Sequence, residues 1–125
     1  MIYGNGVDIL EIERIEKVLA GQPRFIARNF SKREQELFAE RHFRTETIAA
    51  NFAAKEAVSK AMGTGIRGFS LNEIEVLRDA LGRPYVVLEG RAKDAALYLG
   101  IDHILISMSH SDKTVVAFAI AVSKE

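Results

Sequence analysis

The chain has 125 residues, no cysteine, and seventeen basic side chains against seventeen acidic ones, for a formal net charge of zero. This excludes disulfides and thiolate metal sites, gives no general attraction to nucleic acid or a membrane, and suits one domain spanning 1–125. No apolar run reaches membrane-span length and no basic segment leads into an apolar one at the start, so the expected location is the cytoplasm.

Ile2 to Ile12 alternates apolar with small or polar residues and contains Gly4 and Gly6, the pattern of a strand. Ile12, Ile15, Val18 and Leu19 then recur at helical spacing, with Glu13, Arg14, Glu16 and Lys17 outside, until Gly21-Gln22-Pro23 stops the helix. Pro23 to Phe30 suits one or two further helical turns. Ser31-Lys32-Arg33-Glu34 is a capping box and predicts a helix from Ser31 to about His42. A long helix is expected from near Thr45 to Gly63, where glycine suits the position after a helix end.

Beyond Gly68 the periodicity changes. Ile74, Val76 and Leu77 read as a strand, Ala80 to Pro84 as a turn, and Tyr85 to Leu88 as the returning strand. Gly90 to Gly100 is a short helix. Ile104 to His110 alternates, Ser111-Asp112-Lys113 turns, and Thr114 to Val122 is apolar at nearly every position, predicting a strand buried on both faces. The last two strands form a hairpin. The expected class is α+β, with helices in the first half and an antiparallel sheet in the second.

The long helix carries the most chemistry. Phe52, Glu56 and Lys60 share one stripe, with Lys55 and Ser59 beside it, while Ala49, Ala53, Ala57 and Ala61 make a stripe of methyl groups that permits close packing. A carboxylate one turn before an ammonium, followed by Gly63-Thr64-Gly65, offers an acid, a cation and free backbone N–H groups for a metal ion and a phosphate. Taken alone, Glu56 and Lys60 read first as an ordinary exposed ion pair, and Gly-Thr-Gly lacks the spacing of a P-loop. Asp8, after Gly6-Val7, is either a working carboxylate or a polar strand end. Ser107-Met108-Ser109-His110 puts two hydroxyls and an imidazole at a strand end, with no Gly-x-Ser-x-Gly elbow, and a plain polar hairpin end fits it as well. His42 and His103 have no matching ligand partners and read as surface or structural. Arg24, Arg28, Lys32 and Arg33, with no acid between Gln22 and Arg33, form a cationic patch suited to an acidic partner.

In this order, the Gly-x-Asp element at Asp8, the Phe-x-x-Lys-Glu-Ala-x-x-Lys helix with its Gly-Thr-Gly extension, and the Ser-x-Ser-His strand end resemble the small group-I phosphopantetheinyl transferases, from Ile2 to Val122. The resemblance implies Mg²⁺-dependent transfer of the 4′-phosphopantetheine arm of coenzyme A to a serine of apo acyl carrier protein, releasing adenosine 3′,5′-bisphosphate. It also implies an α+β homotrimer with active sites between subunits. Asp8 and Glu56 match metal carboxylates and, with Lys60, the catalytic set. Lys60, Gly63, Gly65, Arg83, Pro84, Ser109 and His110 match the coenzyme site. Arg14, Lys17, Arg24 and Arg28, with Phe25 as an apolar anchor, suit docking of the acidic carrier. One departure is visible: the family often has an arginine where this chain has Asn51, leaving Arg44 or Arg67 to supply that charge. The competing readings are a non-catalytic carrier-binding domain and a Mg²⁺-dependent hydrolase of a small nucleotide.

Overall fold

The computed structural model describes residues 1–64 and 67–124. Strand β1 (Ile2–Glu11) leads into α1 (Ile12–Gly21), α2 (Phe25–Asn29), α3 (Lys32–Glu40) and the long α4 (Thr45–Met62). A 3-10 turn at Leu71–Glu73 precedes the hairpin of β2 (Ile74–Arg78) and β3 (Pro84–Leu88), followed by α5 (Gly90–Leu99), β4 (Ile101–His110) and β5 (Thr114–Ser123). The caps act as the sequence indicates. The Ser31 side chain accepts from the Glu34 backbone N–H at 3.2 Å, and the Glu34 carboxylate accepts from the Ser31 N–H at 3.0 Å. Gly63 ends α4 in the left-handed region at φ 78°.

Two expectations about the strands are corrected. The sheet is not confined to the second half of the chain: β5 lies between β1 and β4, antiparallel to both, so Glu11 pairs with Thr114, while β2 and β3 form a separate two-stranded sheet. Alternation marks β1 as a strand but carries no information about its partner. Nor is β5 buried on both faces. Val115, Ala117, Ala119 and Ala121 are buried under α4, whereas Phe118 on the other face is 42% exposed.

The alanine stripe explains how α4 sits. Ala49, Ala53, Ala57 and Ala61 are all buried. A Cβ added to Gly4 would strike the carbonyl oxygen of Ala61, and one added to Gly6 would strike that of Ala57 and come within 2.7 Å of Lys60 Cβ. Glycine is therefore required in β1 because the backbone of α4 lies directly on it.

On its other side α4 holds the hairpin through a buried ion pair. Lys55 lies inside the protein rather than beside the functional stripe: its ammonium donates to Glu34 at 2.5 Å and to the carbonyls of Leu71 (2.9 Å) and Ile74. The other oxygen of Glu34 accepts from Val76 N–H at 3.2 Å and from Asn51 Nδ2 at 3.1 Å. Among the described residues no buried side-chain polar atom lacks a partner. Burial pushes the Glu34 carboxyl up and the Lys55 ammonium down, each opposed by the other's charge.

Two outcomes are expected. G6A should lose about 1–3 kcal/mol in urea unfolding because α4 must lift, whereas G21A, with nothing within 4 Å, should change little. K55M should cost about 3–5 kcal/mol at neutral pH by stranding Glu34. A carboxyl whose folded pKa is raised destabilises the fold only where it is ionised. The difference between K55M and the parent should therefore shrink as pH falls toward the ordinary carboxyl value of 4.5; a pH-independent difference would contradict this account.

Candidate active site

Because α4 lies against β1, Glu56 and Lys60 come over the strand segment that carries Asp8. Lys60 Nζ lies 3.2 Å from Asp8 Oδ1 and 3.0 Å from the Val7 carbonyl. Asp8, Glu56, Arg14, Phe25 and Phe52 line one cavity. Partial burial raises the Glu56 carboxyl above its usual range, the charge of Asp8 raises it further, and Lys60 opposes both. Two carboxylates close enough to repel, with an ammonium bound to one, make a site that favours an added cation. Among the described residues no three histidine or acidic side chains converge. The donor set is thus two carboxylates, which suits Mg²⁺ sharing its coordination with phosphate oxygens and water.

The aromatic side chains set the wall of this cavity. The Phe25 and Phe52 rings are 5.3 Å apart, and Phe30 stacks edge-on to Phe38 at 4.9 Å, fixing α2 and α3 against α4. Phe25 and Phe52 also border a second groove with Arg24, Arg28 and Asn29, so the cationic face continues from the carboxylates outward. Arg33 leaves that patch: it pairs with Glu75 at 2.5 Å. Lys17 is exposed and bound to Glu13 at 3.2 Å, outside both linings.

The residues matched to the coenzyme site divide. Pro84, Ser109 and His110 line a separate cavity with Arg41, Arg78 and Thr47. Arg83 is exposed, 3.5 Å from Asp79, and does not border it. Gly63 closes the C-terminal end of α4, where its N–H donates to the Lys60 carbonyl at 3.0 Å, so that N–H is not free for phosphate as expected. Gly65 lies outside the described residues. Neither Arg44, at the start of α4, nor Arg67 borders the His110 cavity; Arg41 and Arg78 do, and sequence reasoning passed over both. The available signal was Arg78 itself, a basic residue closing strand β2 directly after the apolar pair Val76 and Leu77. Thr47 and Glu56 are nine residues apart on α4, half a turn out of phase at about 100° per residue, so the two cavities open on opposite sides of the helix.

Comparison with known proteins identifies the family. The sequence model of the 4′-phosphopantetheinyl transferase superfamily matches residues 4–121. The chain belongs to that superfamily. A holo-[acyl-carrier-protein] synthase of Alkaliphilus oremlandii is 49% identical over 122 residues, covering 98% of this chain and 100% of the relative. The crystal structure of a holo-ACP synthase from Plasmodium yoelii superposes with a TM-score of 0.90 at 35% identity, over 100% of this chain and 98% of that one. The Helicobacter pylori holo-[acyl-carrier-protein] synthase, solved with coenzyme A, superposes with a TM-score of 0.81 at 31% identity, over 94% and 98%. The chain is accordingly an enzyme of the phosphopantetheinyl transferase class. Among the described residues no helix is long and apolar enough to cross a membrane.

The charge coupling is open to direct measurement. D8N should lower the Glu56 pKa, read by carboxyl-carbon NMR, because it removes a like charge, and K60M should raise it. An unmoved Glu56 in D8N would show that the two carboxylates do not share a site.

Proposed function

We propose that this enzyme transfers 4′-phosphopantetheine from coenzyme A to a serine of apo acyl carrier protein, yielding holo carrier and adenosine 3′,5′-bisphosphate. The observation that carries this reading is the Asp8–Glu56–Lys60 cluster, set beside a cationic face at Arg14, Arg24 and Arg28. The relatives' names and the coenzyme complex support the same substrates.

Asp8 and Glu56 would hold Mg²⁺, which when bound offsets the charge of the coenzyme's pyrophosphate. Lys60 brings a second positive charge to the same side of α4. The serine oxygen forms a bond to phosphorus while the bridging P–O bond of the pyrophosphate breaks, and adenosine 3′,5′-bisphosphate departs with that oxygen. The serine proton passes to Glu56, whose proton affinity burial and Asp8 raise, or to a water beside it. Catalysis of this kind rests mainly on positioning and charge neutralisation. Arg14, Arg24 and Arg28 orient the acidic carrier around Phe25, and a small-nucleotide hydrolase has no use for that face.

We also propose a homotrimer with sites between subunits, working in the cytoplasm. Val7 (54% exposed), Ile9 (71%), Leu105 (53%) and Phe118 share the open face of the sheet, an apolar surface that a second copy would cover. The carboxylates and the His110 cavity open on opposite sides of α4, so coenzyme spanning both kinds of site needs two chains.

Incubation with apo carrier, coenzyme A and Mg²⁺ should add about 340 Da to the carrier, a mass set by the transferred group, and the gain should vanish with chelator. E56Q should cut the rate on the order of a thousandfold with the fold intact. R14E should slow carrier modification at low salt without altering coenzyme binding. F118E should sediment as a smaller species than the parent. Tight carrier binding without mass gain would favour a pure binder, and coenzyme loss without carrier modification a hydrolase.

A further inference from the structure

Resting on the coenzyme reading above, we propose that Arg78, aimed by Asn51, binds a phosphate group of the coenzyme in the cavity it shares with Arg41 and His110. Asn51 is fully buried, and its amide can be oriented only one way. Nδ2 donates to the Glu34 carboxylate at 3.1 Å and to the Val76 carbonyl at 2.9 Å, both pure acceptors. That leaves Oδ1 to accept from an Arg78 guanidinium nitrogen at 2.8 Å. Arg78 makes one further bond, to the Leu77 carbonyl at 3.3 Å, and a guanidinium has five N–H donors.

The charge balance points the same way. Arg41 borders the same cavity, and among the described residues neither arginine forms an ion pair. Burial first, then the charge of Arg41, bring the Arg78 pKa down to about 10, with Glu34 opposing. At neutral pH Arg78 is still a cation, held half-buried beside a second cation. Glu34 is already engaged by Lys55, and the one carboxylate bordering the cavity, Glu46, pairs with neither arginine. An anion relieves this arrangement, and a guanidinium matches the geometry of phosphate oxygens. Ser109 and His110 add a hydroxyl and an imidazole to the same wall. The cation thus enters from β2, with the side chain at position 51 acting as its support rather than as the charge itself.

The test measures adenosine 3′,5′-bisphosphate binding by calorimetry, and KM and kcat with coenzyme A and with dephospho-coenzyme A, which lacks the 3′-phosphate. R78Q should weaken bisphosphate binding on the order of tenfold to a hundredfold and raise KM far more than it lowers kcat. R78K should recover part of the loss. N51A should shift the same quantities in the same direction while Arg78 is intact, an effect that a purely structural role would not make coenzyme-specific. A loss confined to coenzyme A identifies the 3′-phosphate as the partner; an equal loss with dephospho-coenzyme A identifies the pyrophosphate. Unchanged binding and KM in folded R78Q, with the parent still transferring, overturns this proposal alone. A parent that binds the bisphosphate but modifies no carrier overturns the transfer reading alone, and a parent that does not bind it overturns both.

Discussion

The carbonyls of Ala57 and Ala61 rest on Gly6 and Gly4 of β1, closer than any side chain on those glycines would allow. This contact fixes the height and phase of α4 over the sheet, and the candidate chemistry follows from both. Glu56 and Lys60 stand at the edge of the contact, over Asp8, at a separation set by backbone packing rather than by flexible side chains. A bulkier residue in β1 would leave every functional group in place along the chain and still pull the cluster apart.

The opposite side of α4 is held by different physics. A fully buried ammonium and carboxylate meet there, with each remaining hydrogen-bonding position taken by backbone or by Asn51. Such a pair contributes little net stability compared with an apolar substitute of the same shape, but it is unforgiving of misalignment. It ties α3, α4 and β2 into one unit and so sets where Arg78 reaches the surface. The helix thereby separates two sites: Asp8, Glu56 and Lys60 over β1, and Arg41 and Arg78 beside the hairpin.

Much of this was legible beforehand. The capping box at Ser31, the stop at Gly63 and the methyl stripe of α4 are local signals, and each forms as its pattern indicates. Asp8, Glu56 and Lys60 were identifiable because their residue types and order are distinctive. Lys55 and Asn51 were not: a lysine next to a glutamate on a helix resembles any solvated pair, and only the hairpin folding over it removes the water. Arg41 and Arg78 were missed for the same reason, since a single arginine at the end of an element is common.

Local patterns specify the elements, their caps and the small residues that permit close approach, because those depend on neighbours within a few positions. Contacts across the fold place β1 beside β5, leave one face of β5 open, and set the Asp8–Glu56–Lys60 cluster and the Arg41–Arg78 pair on opposite sides of α4. These outcomes depend on contacts between residues as distant in the chain as Ile2 and Val122, whose electrostatic and packing energies have no counterpart in any local pattern.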